Sequence, residues 1–96
     1  MKEIITINTK LLAFRDQAKS LAKAAGQQKS PVLAFNFARV EFMSRSFADE
    51  FLNVLTDLKA RKKTVALNAL KPELRHFLTS IQQVRVRTRA EMAEAS

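Results

Sequence analysis

The sequence predicts an α/β domain with a mostly parallel sheet and crossover helices, in the order β-α-β-α-β-α-β. Three observations carry this. Short β-branched or apolar runs alternate with longer segments whose apolar residues recur every three or four positions, as strands alternating with amphipathic helices do. The run Val32-Leu33-Ala34-Phe35-Asn36-Phe37 is apolar on both faces, as expected for a central strand with helices on either side. The single Gly and the two Pro fall at element boundaries rather than inside elements.

Ile4-Ile5-Thr6-Ile7 is β-branched and short, a first strand. Asn8 or Thr9 then caps a helix whose apolar stripe is Leu11, Phe14, Ala18, Leu21 and Ala25. Gly26 is placed to end it, with a polar loop from Gln27 to Ser30. Pro31 opens the central strand. The second helix shows Phe47, Phe51, Val54, Leu55 and Leu58 on one face. Ser46 and Asp49, three apart, form a capping box with Asp in place of Glu. Asp49 and Glu50 at its start and Lys59, Arg61 and Lys62 at its end complement the helix dipole. Thr64-Val65-Ala66-Leu67 reads as the third strand. Pro72 fits the first turn of a third helix with Leu74, Phe77, Leu78 and Ile81 inward. Val84-Arg85-Val86-Arg87 alternates as an edge strand would, the rival being a helix running on from Ile81. Residues 1–89 then form one domain and residues 90–96 a C-terminal tail, a frayed helix or an extended end.

Composition bounds the function. A chain of 96 residues is one domain, able to bury roughly 60–70% of its unfolded surface. A hydrophobic content of 47% argues against disorder. With no Cys, disulfides, thiolate catalysis and Cys-based zinc sites are excluded. The most apolar uncharged run, near Pro31 to Ala38, is far below the ~20 residues of a membrane span. Lys10, Arg15 and Asp16 interrupt any signal-peptide core, so a cytoplasmic protein without membrane insertion is expected.

No catalytic constellation stands out. His76 is the only His and falls on the polar side of its helix. Asp49 and Glu50 are adjacent and point about 100° apart on a helix rather than converging. One Gly cannot build a phosphate loop, and no cofactor or metal is expected. The N-terminus of the second helix, with Ser44, Arg45 and Ser46 beside its free N–H groups, is the better site, for an anion or a partner carboxylate. The formal net charge of +8 adds a second feature. Arg15, Lys19 and Lys23 form a ridge on the first helix, Arg85, Arg87 and Arg89 would share one face of a strand, and Lys59 to Lys63 contribute four charges. Such a surface is either a solvated basic face or a contact for nucleic acid.

The segment Phe35-Asn36-Phe37-Ala38-Arg39-Val40-Glu41-Phe42-Met43-Ser44-Arg45-Ser46-Phe47-Ala48-Asp49-Glu50 resembles the STAS-like family of uncharacterised bacterial and archaeal domains. Their pattern is a strand ending Asp-Phe-Ser-Gly-Val, a hinge, then Ser-x-Ser-Phe-Ala-Asp-Glu-Leu. Leu70-Lys71-Pro72-Glu73-Leu74-Arg75 looks like the next strand-to-helix step of such folds. Through that family the chain is similar to anti-sigma-factor antagonists and to the STAS modules of sulfate transporters. The resemblance implies a non-enzymatic regulatory module. It would bind a signalling partner, such as a histidine-kinase-like ATPase or a transcription regulator, through Ser44, Arg45, Ser46, Phe47, Asp49 and Glu50. In the antagonists a hydroxyl residue in a hinge reading Asp-Ser-Ser-Gly or Asp-Ser-Thr-Gly takes a phosphate. Here Ser44 falls at the Asp, Arg45 at the acceptor and Ser46 at the second hydroxyl, while Asn36, Ala38 and Arg39 replace the upstream Asp, Ser and Gly. Ser46 is therefore the candidate phosphoacceptor.

Overall fold

The computed structural model describes residues 2–95, with side chains for residues 2–86. Its elements are β1 (Lys2–Thr6), β2 (Leu11–Leu12), α1 (Arg15–Gly26), β3 (Val32–Asn36), β4 (Phe42–Met43), α2 (Arg45–Ala60), β5 (Thr64–Asn68) and α3 (Pro72–Ala95). The domain is α/β with all described strand pairs parallel, as the alternation of periods predicts.

β1, β3 and β5 form the main sheet in that order, with Lys2, Val32 and Thr64 in one row and Thr6, Asn36 and Asn68 in another. Successive right-handed crossovers moving in one direction place their helices on the same face. Alternation then sorts the strand residues. Ile5, Leu33, Phe35, Val65 and Leu67 turn toward the helices and join the core with Ala18, Phe51, Leu58, Leu74, Leu78 and Ile81. Ile4, Thr6 and Thr64 turn the other way, and Ile4 remains 60% exposed. The domain thus has two layers, so the expectation that helices cover both faces of the central strand is corrected. Ala34 on the second face is buried in the central strand, in register between Ile4 and Ala66.

The proposed fourth strand is also corrected. Residues 84–87 belong to α3, whose 24 residues run from Pro72 to Ala95 across positions 90–95 as well. Helical contacts outweigh the local alternation: Leu74, Leu78 and Ile81 fix the helix on the core. Arg85 then continues the same spiral to α2, donating from Nη1 to the Asp49 carbonyl at 2.6 Å and from Nη2 to Asn53 Oδ1.

α1 begins later than its apolar stripe suggests. Leu11 lies in β2 and Phe14 is the residue before the helix; both are exposed. The first-turn cap comes from Gln17, whose Oε1 accepts from the Ala13 and Phe14 N–H groups at 2.7 and 2.9 Å. Its Nε2 donates to the Leu11 carbonyl at 2.9 Å. Asn8 and Thr9 are not the cap.

Gly26 is the last residue of α1, has no positive φ, and an added Cβ would meet nothing within 4 Å. The left-handed positions are instead Lys62 at φ 65° and Ala69 at φ 57°, in the turns flanking β5. A side chain there costs on the order of 1 kcal/mol relative to Gly. Gly26→Ala is therefore expected to stabilise the domain by roughly 0.5–1 kcal/mol, and Ala69→Gly by about 1 kcal/mol. Urea denaturation checks both: each midpoint should rise, and a fall would place that residue in a different backbone conformation.

Candidate functional site: the N-terminal end of α2

After β1 and β3 separate, their chains meet again. β2 and β4 form a two-residue parallel ladder that pairs Leu11 with Phe42 and Leu12 with Met43. The Lys10 carbonyl accepts from the Glu41 and Phe42 N–H groups at 2.8 and 3.0 Å, and the Leu12 carbonyl from Ser44 at 2.8 Å. Because alternate residues face opposite sides, Leu12 and Met43 are buried at 2% and 4% exposure while Leu11 and Phe42 stand out at 58% and 50%. Phe14, two residues past β2, is 70% exposed. Three large apolar side chains are thus presented where the chain enters α1 and α2.

Ser44 is the N-cap of α2. Its Oγ accepts from the Phe47 N–H at 3.1 Å and donates to the Ala13 carbonyl at 2.7 Å. This overturns the expected Ser46–Asp49 capping box: the cap lies two residues upstream, and no acidic residue falls in the first turn. One hydroxyl ends α2 and ties it to the approach to α1. Ser46 is thereby released; it is exposed and shares a shallow hollow with Ala13, Phe14, Arg15 and Asp16.

The remaining candidates divide. Arg45 is exposed and reaches Asp49 at 4.0 Å within α2. Asp49 also meets Arg85 of α3 at 4.0 Å, and Glu50 meets Arg15 of α1 at 3.5 Å. Both carboxylates are partly buried and hold helices together. Phe47 is fully buried and stacks on Phe51 with ring centroids 5.4 Å apart, so its side chain belongs to the core, not to a contact surface. The structure therefore brings Ser44, Arg45 and Ser46 to one turn, sets Phe14 in a hollow with Ser46, places the exposed Leu11–Phe42 pair just before that turn, and withdraws Phe47. The added residues carry a faint sequence signal: Leu11-Leu12 and Phe42-Met43 are matching apolar pairs, each just before a helix start. Segments 10–16 and 39–50 carry four basic residues (Lys10, Arg15, Arg39, Arg45) against four acidic ones (Asp16, Glu41, Asp49, Glu50).

The expected basic groupings are rearranged. Lys19 and Lys23 remain exposed on α1, while Arg15 is paired with Glu50. Arg85, Arg87 and Arg89 do not share a strand face, since all three positions are helical and residues two apart on a helix diverge by about 200°. Arg85 is spent on α2, and the side chains of Arg87 and Arg89 lie outside the described residues. His76 is exposed on α3. Among the described residues no group of His, Asp and Glu could hold a metal ion, and no helix is long and apolar enough to cross a membrane.

Comparison with family models, with curated proteins and with solved structures gives no match.

The bond pattern separates two serines that look alike in sequence. Ser44→Ala should cost about 1–2 kcal/mol of stability, because it removes a cap and a link to Ala13 together. Ser46→Ala should stay within about 0.5 kcal/mol of the parent. Denaturant titration of the two variants distinguishes them; equal losses would mean that the cap is not at Ser44.

Proposed function

We propose that the chain is a non-enzymatic, STAS-type regulatory module that binds a signalling partner through the N-terminal end of α2. The observation that carries this reading is that exposed Phe14 shares a hollow with Ser46 while the exposed, paired Leu11 and Phe42 lie just before the turn that bears Arg45. Water-facing aromatic side chains gathered at one turn are the usual centre of a protein contact, and a rim of mixed charge gives it register. A parallel sheet also places its loops for recognition at the carboxyl ends of its strands, where this group lies.

The STAS-type reading rests on the run Ser44-Arg45-Ser46-Phe47-Ala48-Asp49-Glu50. Within it, Ser44 caps the helix, Phe47 and Ala48 pack inward, and Arg45 and Ser46 remain outside for a partner. The partner class proposed is a histidine-kinase-like ATPase or a transcription regulator, in the bacterial cytoplasm. A phosphate on Ser46 would sit at the first turn of α2, where backbone N–H groups and Arg45 favour it, while Asp16, Asp49 and Glu50 oppose it. Such a group would act as a release signal, since it adds charge beside an apolar contact.

Affinity-tagged protein recovered from its host tests the proposal. Wild type and a far-edge control, Lys29→Glu, should retain the same partner, and Phe42→Glu, Arg45→Glu and Ser46→Asp should lose it with unchanged thermal midpoints. Phe47→Ala is unsuitable, because loss of a fully buried Phe costs about 3–5 kcal/mol. Equal retention of the partner by all folded variants would contradict the reading.

A further inference from the structure

The opposite edge of the main sheet is built differently. α1 ends five residues before β3, and α2 ends three residues before β5. The C-termini of both helices therefore arrive beside the first residues of the strands, where Lys2, Val32 and Thr64 form one row. Lys23 lies in the last turn of α1 and Lys59 in the last turn of α2. Lys29 and Arg61 to Lys63 occupy the two connecting loops. Lys63 draws these loops together: its Nζ donates to the Gln28 and Ser30 carbonyls at 2.9 and 3.1 Å, and the Thr64 N–H donates to the Pro31 carbonyl at 2.8 Å. Among the residues with described side chains, seven basic ones, counting Lys2, thus meet two acidic ones at this edge, Glu3 and Asp57. Asp57 is taken by Arg61 at 3.1 Å.

Helix dipoles account for only part of this. Cations in a last turn complement the helix carbonyls, which gives Lys23 and Lys59 a local role, but that effect does not extend beyond the turn. Lys2, Lys29 and Lys62 are exposed and outside both helices. Like charges gathered on a small domain oppose its folding. Lys62 also adopts φ 65°, where a Gly would be less strained, so both the charge and the side chain at this tip work against stability.

We infer that this edge is a binding surface for duplex nucleic acid, contacted through its phosphate backbone. The inference is independent of the partner site on α2. Single-strand binding would want aromatic side chains for stacking, and the exposed ones, Phe14 and Phe42, are at the other edge. Docking to a lipid surface pairs charge with an apolar wedge. The loops of this edge carry none of the large exposed apolar residues, Ile4 points from the open sheet face, and exposed Val86, which shares a hollow with Lys59, stands on α3 beside Gln82 and Arg85 rather than in a loop wedge. A lysine-rich, apolar-poor edge with a clamped backbone fits a regular array of phosphates read without regard to sequence.

Fluorescence anisotropy with a short mixed-sequence DNA duplex tests the inference. Binding is expected at about 50 mM KCl, with log K falling against log salt with a slope of roughly −4 for four to five phosphate contacts. Lys62→Gly is the decisive variant. It should weaken binding roughly fivefold to tenfold at that salt and reduce the slope by about 1, while its thermal midpoint rises, so unfolding cannot explain the loss. Lys29→Gln should act in the same direction, and Lys10→Gln at the opposite edge should leave the slope unchanged. Absence of duplex binding at about 50 mM KCl overturns the inference. So does a slope that Lys62→Gly and Lys29→Gln do not alter, or tighter binding to single strands or to phosphatidylserine vesicles at equal phosphate concentration. The partner-site variants Phe42→Glu and Arg45→Glu should bind the duplex through an intact edge even if the partner reading fails.

Discussion

The packing of four phenylalanines sets the geometry of the molecule. Phe51 of α2 stacks on Phe47 one turn earlier and receives the edges of Phe35 and Phe37 at centroid distances of 5.4 and 5.7 Å. All four rings are fully buried. Each contributes large apolar area, and the edge-to-face contacts add orientation to that burial. The cluster joins the end of the central strand to the first turns of α2, so the helix cannot rotate without opening the core. Its direction in turn fixes where Ser44 caps, where Ser46 emerges, and how Asp49 and Glu50 meet Arg85 and Arg15.

That constraint produces a molecule with two unlike edges. At the carboxyl ends of the strands, a second short ladder turns Leu12 and Met43 inward and presents Leu11 and Phe42 outward beside Phe14. Charges there are balanced, and the Asp49 and Glu50 carboxylates are paired with Arg85 and Arg15 of the neighbouring helices. At the amino ends of the strands, the two helix C-termini and their loops collect uncompensated lysines. Much of the formal charge of +8 is therefore localised, and the two surfaces can act on different partners without competing. The lone sheet layer between them keeps one face open, a feature of the backbone order rather than of any single residue.

The elements buried by period were legible in the sequence. The central strand, the apolar face of α2, β5 and the start of α3 at Pro72 follow directly from spacing and side-chain type, since each is set by local periodicity and one buried face. What was not legible depends on contacts distant in the chain. Val84 to Arg87 alternates like a strand, yet the helix continues because Ile81 is buried and Arg85 reaches α2. Leu11 and Phe14 fit a helical stripe by spacing, but a two-residue pairing with segment 42–43 takes Leu11 out of the helix. Within the candidate segment the cap was not legible: Ser46 resembles a cap, whereas Ser44 wins because its hydroxyl also finds the Ala13 carbonyl, 31 residues away in sequence. Left-handed Lys62 and Ala69 carry no compositional mark, since neither is Gly.

If the two edges serve different partners, a photo-crosslinking side chain placed at Phe42 or at Lys62, in protein expressed in its host, separates them. Protein adducts are expected from position 42 and nucleic-acid adducts from position 62. Nucleic-acid adducts from position 42, or protein adducts alone from position 62, would contradict that division.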